Sequence, residues 1–109
     1  MKLPSSMRVR KRYIAFRVIA EKNIEKEVLW ETMMKSFISL FGETETMNSA
    51  MRLEEFENNR GIVSCKLESL EKVMISLTLI DCVGGVDVAL VTLGVSGTIK
   101  KCKRKMEVV

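Results

Sequence analysis

The sequence of 109 residues contains no histidine, one proline and three cysteines, and aromatic residues make up only 6% of it. Without histidine, the chain lacks the commonest general base, the commonest metal ligand and the usual partner of a serine or cysteine nucleophile. Its widely spaced Cys65, Cys82 and Cys102 form neither a CxxC pair nor an even disulfide set. These absences argue against a self-contained enzyme and indicate free or buried thiols in a reducing cytosol.

Long apolar runs and phosphate-binding loops are also missing. The longest uncharged stretch, Val88 to Ile99, is too short to cross a bilayer and contains two glycines. Arg17 interrupts the short apolar run that follows the basic N-terminus, so no signal peptide is predicted. Neither Gly84-Gly85 nor the segment 94–97 has the spacing and lysine of a phosphate loop. We therefore expect a cytoplasmic protein that does not bind a membrane.

Charge is distributed unevenly along the chain. Residues 1–12 contain five basic and no acidic side chains, and residues 98–109 contain five basic side chains and one acidic. Of the 18 basic and 14 acidic residues in total, eight basic and thirteen acidic remain for residues 13–97, a net charge of −5. An acidic body with two cationic ends favours a polyanionic partner, although solvated tails that only aid solubility would have the same charge pattern.

The hydrophobic periodicity predicts four strands and two long helices. Strands are expected at 13–20, 50–56, 61–67 and 86–93, and helices at 24–41, with Asn23 as N-cap, and at 69–80. In the first helix, Trp30, Met33, Met34, Phe37, Ile38 and Phe41 recur at helical spacing, which indicates a core face or, alternatively, a partner surface. Gly42 is expected to end this helix, and residues 43–50 to form a loop.

The predicted order of elements is strand, helix, strand, strand, helix, strand. This βαββαβ order is typical of an α+β ferredoxin-like or RNA-recognition-motif-like sandwich, in which a four-stranded antiparallel sheet carries both helices on one face. The chain is divided into a basic N-terminal arm (1–12), this domain (13–97) and a short basic C-terminal helix or tail (98–109), with Ser96 or Thr98 as the helix cap. The fold alone does not define a function.

The sequence lacks the aromatic platform on which RNA-recognition domains stack bases. The third predicted strand has no aromatic residue, and in the first strand only Tyr13 is placed to face outward. Arg17 and Lys66 would extend a basic surface across an open sheet face. RNA binding by this domain would therefore depend mainly on phosphates and shape. The glutamates at 54–57 fit a solvated turn better than a cation site.

The segment from Leu93 to Lys101 joins the last strand to a basic helix through small residues. Free backbone N–H groups and a helix N-terminus can bind one phosphate while the lysines contact its neighbours. A plain strand-to-helix turn, in which the glycines only relieve steric strain, explains the same residues. Both interpretations remain open at this point.

Three motifs together resemble the archaeal ribonuclease P protein component 2 family, relatives of a eukaryotic ribonuclease P/MRP subunit. They are Leu3-Pro4 followed by Arg8, Lys11 and the run 12–16, then Gly61-Ile62-Val63-Ser64-Cys65, and above all the block 92–100, Thr-Leu-Gly-Val-Ser-Gly-Thr-Ile-Lys. The similarity extends over essentially the whole chain. Two positions depart from the family pattern: Ser5 replaces a second proline, and Val91 replaces a basic residue before the Thr-Leu-Gly block.

The resemblance implies a protein subunit of the ribonucleoprotein that removes the 5′ leader from precursor tRNA. The RNA with bound Mg²⁺ would be the catalyst, and the polypeptide would bind no cofactor or metal and supply no catalytic residue. The implied partners are ribonuclease P RNA, precursor tRNA indirectly, and other protein subunits, including a barrel-shaped one and a second copy of the chain.

The residues predicted to bind RNA combine the two basic ends with the strand positions between them. They are Arg8, Arg10, Lys11, Arg12, Tyr13, Arg17, Lys66, Ser96, Gly97, Thr98, Lys100, Lys101, Lys103, Arg104 and Lys105. Two other hypotheses remain. A ferredoxin-like protein–protein adaptor would bind its partner through apolar surface, and a stand-alone nuclease would need a metal site built from Glu and Asp alone.

Overall fold

The computed structural model describes residues 10–107 and has the predicted α+β architecture. The elements are β1 (Lys11–Ile19), α1 (Lys26–Ser49), β2 (Arg52–Glu57), β3 (Arg60–Lys66), α2 (Leu70–Thr78), β4 (Cys82–Val83), β5 (Val86–Asp87), β6 (Ala89–Ser96) and α3 (Ile99–Glu107). The main sheet has the strand order β2-β3-β1-β6 with antiparallel neighbours, and β4 and β5 form a separate small hairpin. No helix in the described part of the chain is both long enough and apolar enough to span a membrane.

The main core lies between one face of the sheet and the helices α1 and α2. Alternation in β1 buries Ile14, Phe16 and Val18 on this face, as predicted. From α1, Met33 and Phe37 are fully buried, as is Leu29, which the predicted stripe did not include, whereas Ile38 is 37% exposed. The apolar stripe of α1 therefore packs in the core, but the buried face of the helix is shifted by one position from the predicted face, because it includes Leu29 and leaves Ile38 exposed.

The β2–β3 hairpin forms at the predicted place. Asn58 and Asn59 both have positive φ, 52° and 61°, which is the backbone of a two-residue turn that asparagine tolerates. The Asn59 side chain also joins this turn to the chain after β1, since its Oδ1 accepts the Ile24 N–H at 2.8 Å.

The prediction of a loop at residues 43–50 is wrong, because the chain resumes a helix after Gly42. Gly42 has φ 87° and ψ 167°, so it kinks α1 rather than ending it. The Thr46 hydroxyl donates to the Gly42 carbonyl at 2.8 Å, and the helix then continues to Ser49. The N-cap prediction is also wrong, since Glu25, without a side-chain cap bond, occupies that position instead of Asn23.

The single strand predicted at 86–93 is divided in the structure. Gly84 and Gly85, both with positive φ, turn the chain between β4 and β5, and β6 then begins at Ala89. Because β6 continues to Ser96, Gly94 lies inside a strand rather than in the turn that follows it.

The second face of the sheet is not open as expected, because α3 packs on it. Cys102 is fully buried against Ala15 of β1 and Ile62 of β3, with Tyr13, Leu93 and Ile99 packed around them. The predicted basic C-terminal helix is thus confirmed as an element, and it covers part of the face that the sequence had assigned to Arg17 and Lys66.

Candidate nucleic-acid interface

The described parts of the two basic segments meet at one end of the sheet. Lys11 of β1 lies opposite Lys66 of β3, and Tyr13 lies opposite Ser96 of β6. The Arg10 carbonyl accepts the Leu67 N–H at 2.8 Å, which fixes the start of β1 beside the end of β3. Residues far apart in the chain therefore share one surface.

Arg12 links this strand end to the turn before α3. Its Nη1 donates to the Lys11 carbonyl at 2.8 Å, and a Cβ added at Gly97 would lie 3.7 Å from the same nitrogen. The guanidinium is thus held beside the glycine of the predicted phosphate-binding turn. Arg8, which was also predicted to bind RNA, lies outside the described residues.

Thr98 caps α3, as one of the two predicted alternatives. Its Oγ1 accepts the Lys101 N–H at 3.3 Å, its carbonyl accepts the Cys102 N–H at 3.1 Å, and that carbonyl also accepts the Ser96 hydroxyl at 2.8 Å. The cap orients the first turn of α3 at the end of β6, and its position adds the positive end of the helix dipole to the nearby cations.

The basic side chains of α3 are directed to different surroundings. Lys100, Lys101 and Arg104 are exposed to solvent. Lys103 and Lys105 are exposed as well, but their amino groups contact protein atoms. Lys103 Nζ forms an ion pair with Glu55 Oε1 at 2.9 Å, and Lys105 Nζ donates to the Val95 carbonyl at 2.9 Å.

We define the basic surface as six described cations at this end of the sheet. In the part of the chain that the structure describes, none of the six forms an ion pair with another side chain. They are Arg10, Lys11, Arg12, Lys66, Lys100 and Lys101.

Tyr13 and Arg17 were predicted to bind RNA but are not part of this surface, and neither are Lys103, Arg104 and Lys105 of α3. Arg17 is exposed on the same face, but it lies opposite Arg60 and Val91, four residues along β1 from Tyr13, which is about 13 Å in an extended strand. Tyr13 is half-buried in the cluster beneath α3, so its ring is engaged with protein rather than presented as an open stacking surface.

Glu55 and Gly94 contact the basic helix but were absent from the predicted set. Glu55 pairs with Lys103, and a Cβ at Gly94 would collide with the Lys105 side chain. Only the strand register reveals their role, because it places both in one row with Ala15 and Ile62. Nothing in the local sequence around either residue indicates a contact with α3.

Burial changes the pKa of two cysteine thiols among the described residues. Burial raises the pKa of the Cys65 thiol to about 11, and burial also raises the pKa of Cys102, which a hydrogen bond with Ser96 and the charge of Lys105 partly oppose. No group of three or more Cys, Asp or Glu side chains within the described range is arranged to hold a metal ion. What the site offers is positive charge, hydroxyl groups and a helix N-terminus.

The chain is similar to several known proteins. The model of a family described as Rpp14/Pop5 matches residues 12–107. The chain is 57% identical over 103 residues to "Ribonuclease P protein component 2" of Archaeoglobus fulgidus, covering 94% of each, and 37% identical over 105 residues to the protein of that name from Pyrococcus furiosus, covering 94% of this chain and 88% of the relative. A chain in the cryo-EM structure of yeast ribonuclease MRP has a similar fold, with a TM-score of 0.69 at 8% identity over 93% of this chain and 94% of that one.

Proposed function

The chain belongs to the Rpp14/Pop5 family and is a protein subunit of ribonuclease P, and on that premise we propose that it binds the RNA of the particle through phosphates rather than bases. The family resemblance found in the sequence motifs is thereby confirmed. The observation that carries the proposal is the basic surface, where the start of β1, the end of β3 and the start of α3 bring six cations together.

The chemistry of the described surface supports phosphate contact over base recognition. Lysine and arginine neutralise phosphates that would otherwise repel one another in a folded RNA. Base recognition in RNA-recognition domains depends on aromatic rings exposed on the sheet, whereas Tyr13 packs beneath α3. Gly97 lies next to Arg12, and the turn of Ser96, Gly97 and Thr98 would let one phosphate approach the backbone closely.

The proposal assigns different roles in the particle to the RNA and to this protein subunit. We propose that the RNA, with Mg²⁺ bound to it, cleaves the 5′ leader from precursor tRNA, and that this subunit binds no cofactor of its own. Its part is to hold the RNA by neutralising closely spaced phosphates, in the cytoplasm.

A protein partner would bind on the other side of the molecule. The helices α1 and α2 cover the face opposite α3, and they expose Ile38, Leu40, Ile75 and Leu79 to solvent. This apolar exposure supports the expectation of a further subunit, barrel-shaped according to the family resemblance, or of a second copy of the chain. The adaptor hypothesis is favoured by the same residues, so the two functions must be separated by experiment.

The decisive comparison is between two double variants. Lys100→Ala/Lys101→Ala removes two cations of the basic surface, and Lys22→Ala/Lys35→Ala removes two exposed lysines outside it. We expect the first pair to weaken binding to ribonuclease P RNA about tenfold or more, since each phosphate contact contributes on the order of 1 kcal/mol. The second pair should bind within about twofold of the wild type, because distant exposed charges are largely screened.

Partner binding gives the second measurement for these variants. We expect both double variants to bind the other protein subunits with the affinity of the wild type. Unchanged RNA affinity in the Lys100→Ala/Lys101→Ala protein would instead favour the adaptor, with the apolar helix surface as its binding site.

A further inference from the structure

The basic side chains of α3 divide into two groups with different contacts. We propose that Lys103 and Lys105 are positioning residues that hold α3 on the sheet, with Glu55 and Gly94 as their counterparts, and that Lys100 and Lys101 alone of these four lysines contact phosphate. This inference rests on the proposed function, and it separates residues that the sequence had placed in a single RNA-binding set.

A row of four residues across the sheet forms the surface beneath α3. The strand register aligns Gly94 of β6 with Ala15 of β1, Ala15 with Ile62 of β3, and Ile62 with Glu55 of β2. Gly94 has no side chain and Ala15 has only a methyl group, so α3 can approach the sheet closely here. Cys102 lies over the middle of this row and is fully buried there.

Lys103 and Lys105 flank Cys102 on the two sides of the helix. Residues two positions apart point about 200° away from each other around a helix axis. Lys103 accordingly reaches Glu55 at one end of the row, with an Nζ–Oε1 distance of 2.9 Å. The Lys105 stem crosses Gly94 at the other end, and its Nζ donates to the Val95 carbonyl at 2.9 Å. The helix is therefore held from both sides as well as from below.

The orientation of the outward cations depends on this attachment. With Lys103 and Lys105 bound to protein atoms, Lys100 and Lys101 are exposed in the first turn of α3. This turn follows Gly97, which lies beside Arg12. An acidic residue near an RNA surface would ordinarily weaken binding, so its removal should strengthen it. If Glu55 instead positions α3, replacing it with a cationic residue should weaken RNA binding.

The salt dependence of RNA binding counts phosphate contacts and separates the two groups. Each contact with single-stranded RNA contributes about −0.7 to the slope of log affinity against log salt. We expect Lys101→Gln to make the slope shallower by about 0.7. Lys103→Gln should make the slope shallower by clearly less, because it removes no phosphate contact of its own. An equal loss of slope in both variants would overturn the assignment of Lys103.

A charge exchange tests the positioning role directly. E55K should weaken RNA binding although it adds positive charge, and E55K/K103E should return to within about twofold of the wild type because the ion pair is restored with reversed signs. The matched control, E55K/K35E, has the same net charge as the wild type but no restored pair, and its second change lies outside the basic surface, so it should stay weak. Tighter binding by E55K would contradict the proposal.

The thiol of Cys102 reports the position of α3 without any RNA. In a Cys82→Ser background, which removes the exposed cysteine, Cys102 is buried where α3 packs on Ala15 and Ile62 of the sheet, whereas Cys65 lies in the main core. E55K should speed the labelling of Cys102 by a thiol reagent about threefold, leave Cys65 protected, and lose this effect in E55K/K103E.

These outcomes distinguish a failure of the inference from a failure of the proposed function. If E55K leaves Cys102 labelling unchanged, Glu55 does not hold the helix, whatever the protein binds. If the labelling changes as expected but no variant alters RNA affinity, α3 is positioned as proposed and phosphate binding by the basic surface is wrong.

Discussion

Gly42 shows how a single residue determines the course of α1. With φ 87° and ψ 167° it has a conformation that L side chains rarely adopt, although a Cβ there would meet no atom within 4 Å. Gly42→Ala should therefore destabilise the fold by about 1–3 kcal/mol through backbone strain alone. Urea unfolding measures this, with Ser39→Ala, an exposed position of the same helix, as the control that should change stability by less than about 0.5 kcal/mol. Equal stability of the two variants would mean that the kink carries no strain penalty.

Cys65 makes stability depend on pH in the alkaline range. Burial raises the pKa of its thiol from 9.0 to about 11. Between these values the unfolded chain loses the thiol proton and the folded chain keeps it, so stability falls as pH rises, by about 2–3 kcal/mol in total. Urea unfolding from pH 8 to 11 should show this fall in the wild type and a smaller one in Cys65→Ala. Parallel pH profiles of the two proteins would contradict it.

At the residue scale, the sequence predicted the core better than the contacts of the charged side chains. Alternation identified Ile14, Phe16 and Val18 because burial of one sheet face imposes a period of two. No such rule connects Glu55 with Lys103, since their pairing depends on how α3 crosses the sheet. Charged side chains on one surface look alike in sequence whether they bind RNA or protein.

Among the helices and strands, the segments with continuous hydrophobic periodicity were predicted, whereas the segments interrupted by glycines were not. The βαββαβ order is confirmed because each strand and helix buries one face of its own. The helix at 43–49 was missed because a glycine usually ends a helix, and here the Thr46 hydroxyl bonds to the Gly42 carbonyl and the helix resumes beyond the kink. The division of the chain into an arm, a domain and a C-terminal helix stays a prediction.

The position of α3 was missed for a different reason. Its sequence is mostly lysine and arginine, which suggested a solvated helix, while the apolar contact with the sheet uses Ile99 and Cys102 alone among its described side chains. Two apolar residues are too few to give a hydrophobic periodicity that distinguishes a helix packed on the sheet from a free basic tail.

The packing of α3 on the sheet depends on the absence of a side chain at Gly94. A side chain at Gly94 would collide with Lys105, whereas a Cβ at Gly97 would be in ordinary contact with Arg12. In the Cys82→Ser background, Gly94→Val should raise Cys102 labelling about fivefold or more, because overpacking costs about 1–3 kcal/mol. Gly97→Ala should leave it unchanged. Identical labelling of both variants would show that α3 does not depend on the space above Gly94.

At the scale of the molecule, the fold brings the described residues of two separate basic segments to one end of the sheet. Charge counting identified both ends but could not show that they meet, since their proximity comes from the pairing of β1 with β3 and β6. The same pairing leaves Arg17 about 13 Å along the strand from Tyr13 and removes it from the surface. The acidic remainder of the chain, with a net charge of −5 over residues 13–97, limits the attraction for RNA to this end.

Phosphate binding by the basic surface is tested by the salt dependence of the affinity for ribonuclease P RNA. The basic surface has six described cations, and if each neutralises one phosphate, log affinity should fall against log salt with a slope of about −4. The measurement needs the intact protein and the folded RNA, titrated at several concentrations of monovalent salt. A slope near −4 that becomes shallower in Lys100→Ala/Lys101→Ala supports phosphate binding by this surface. A slope near zero would contradict it.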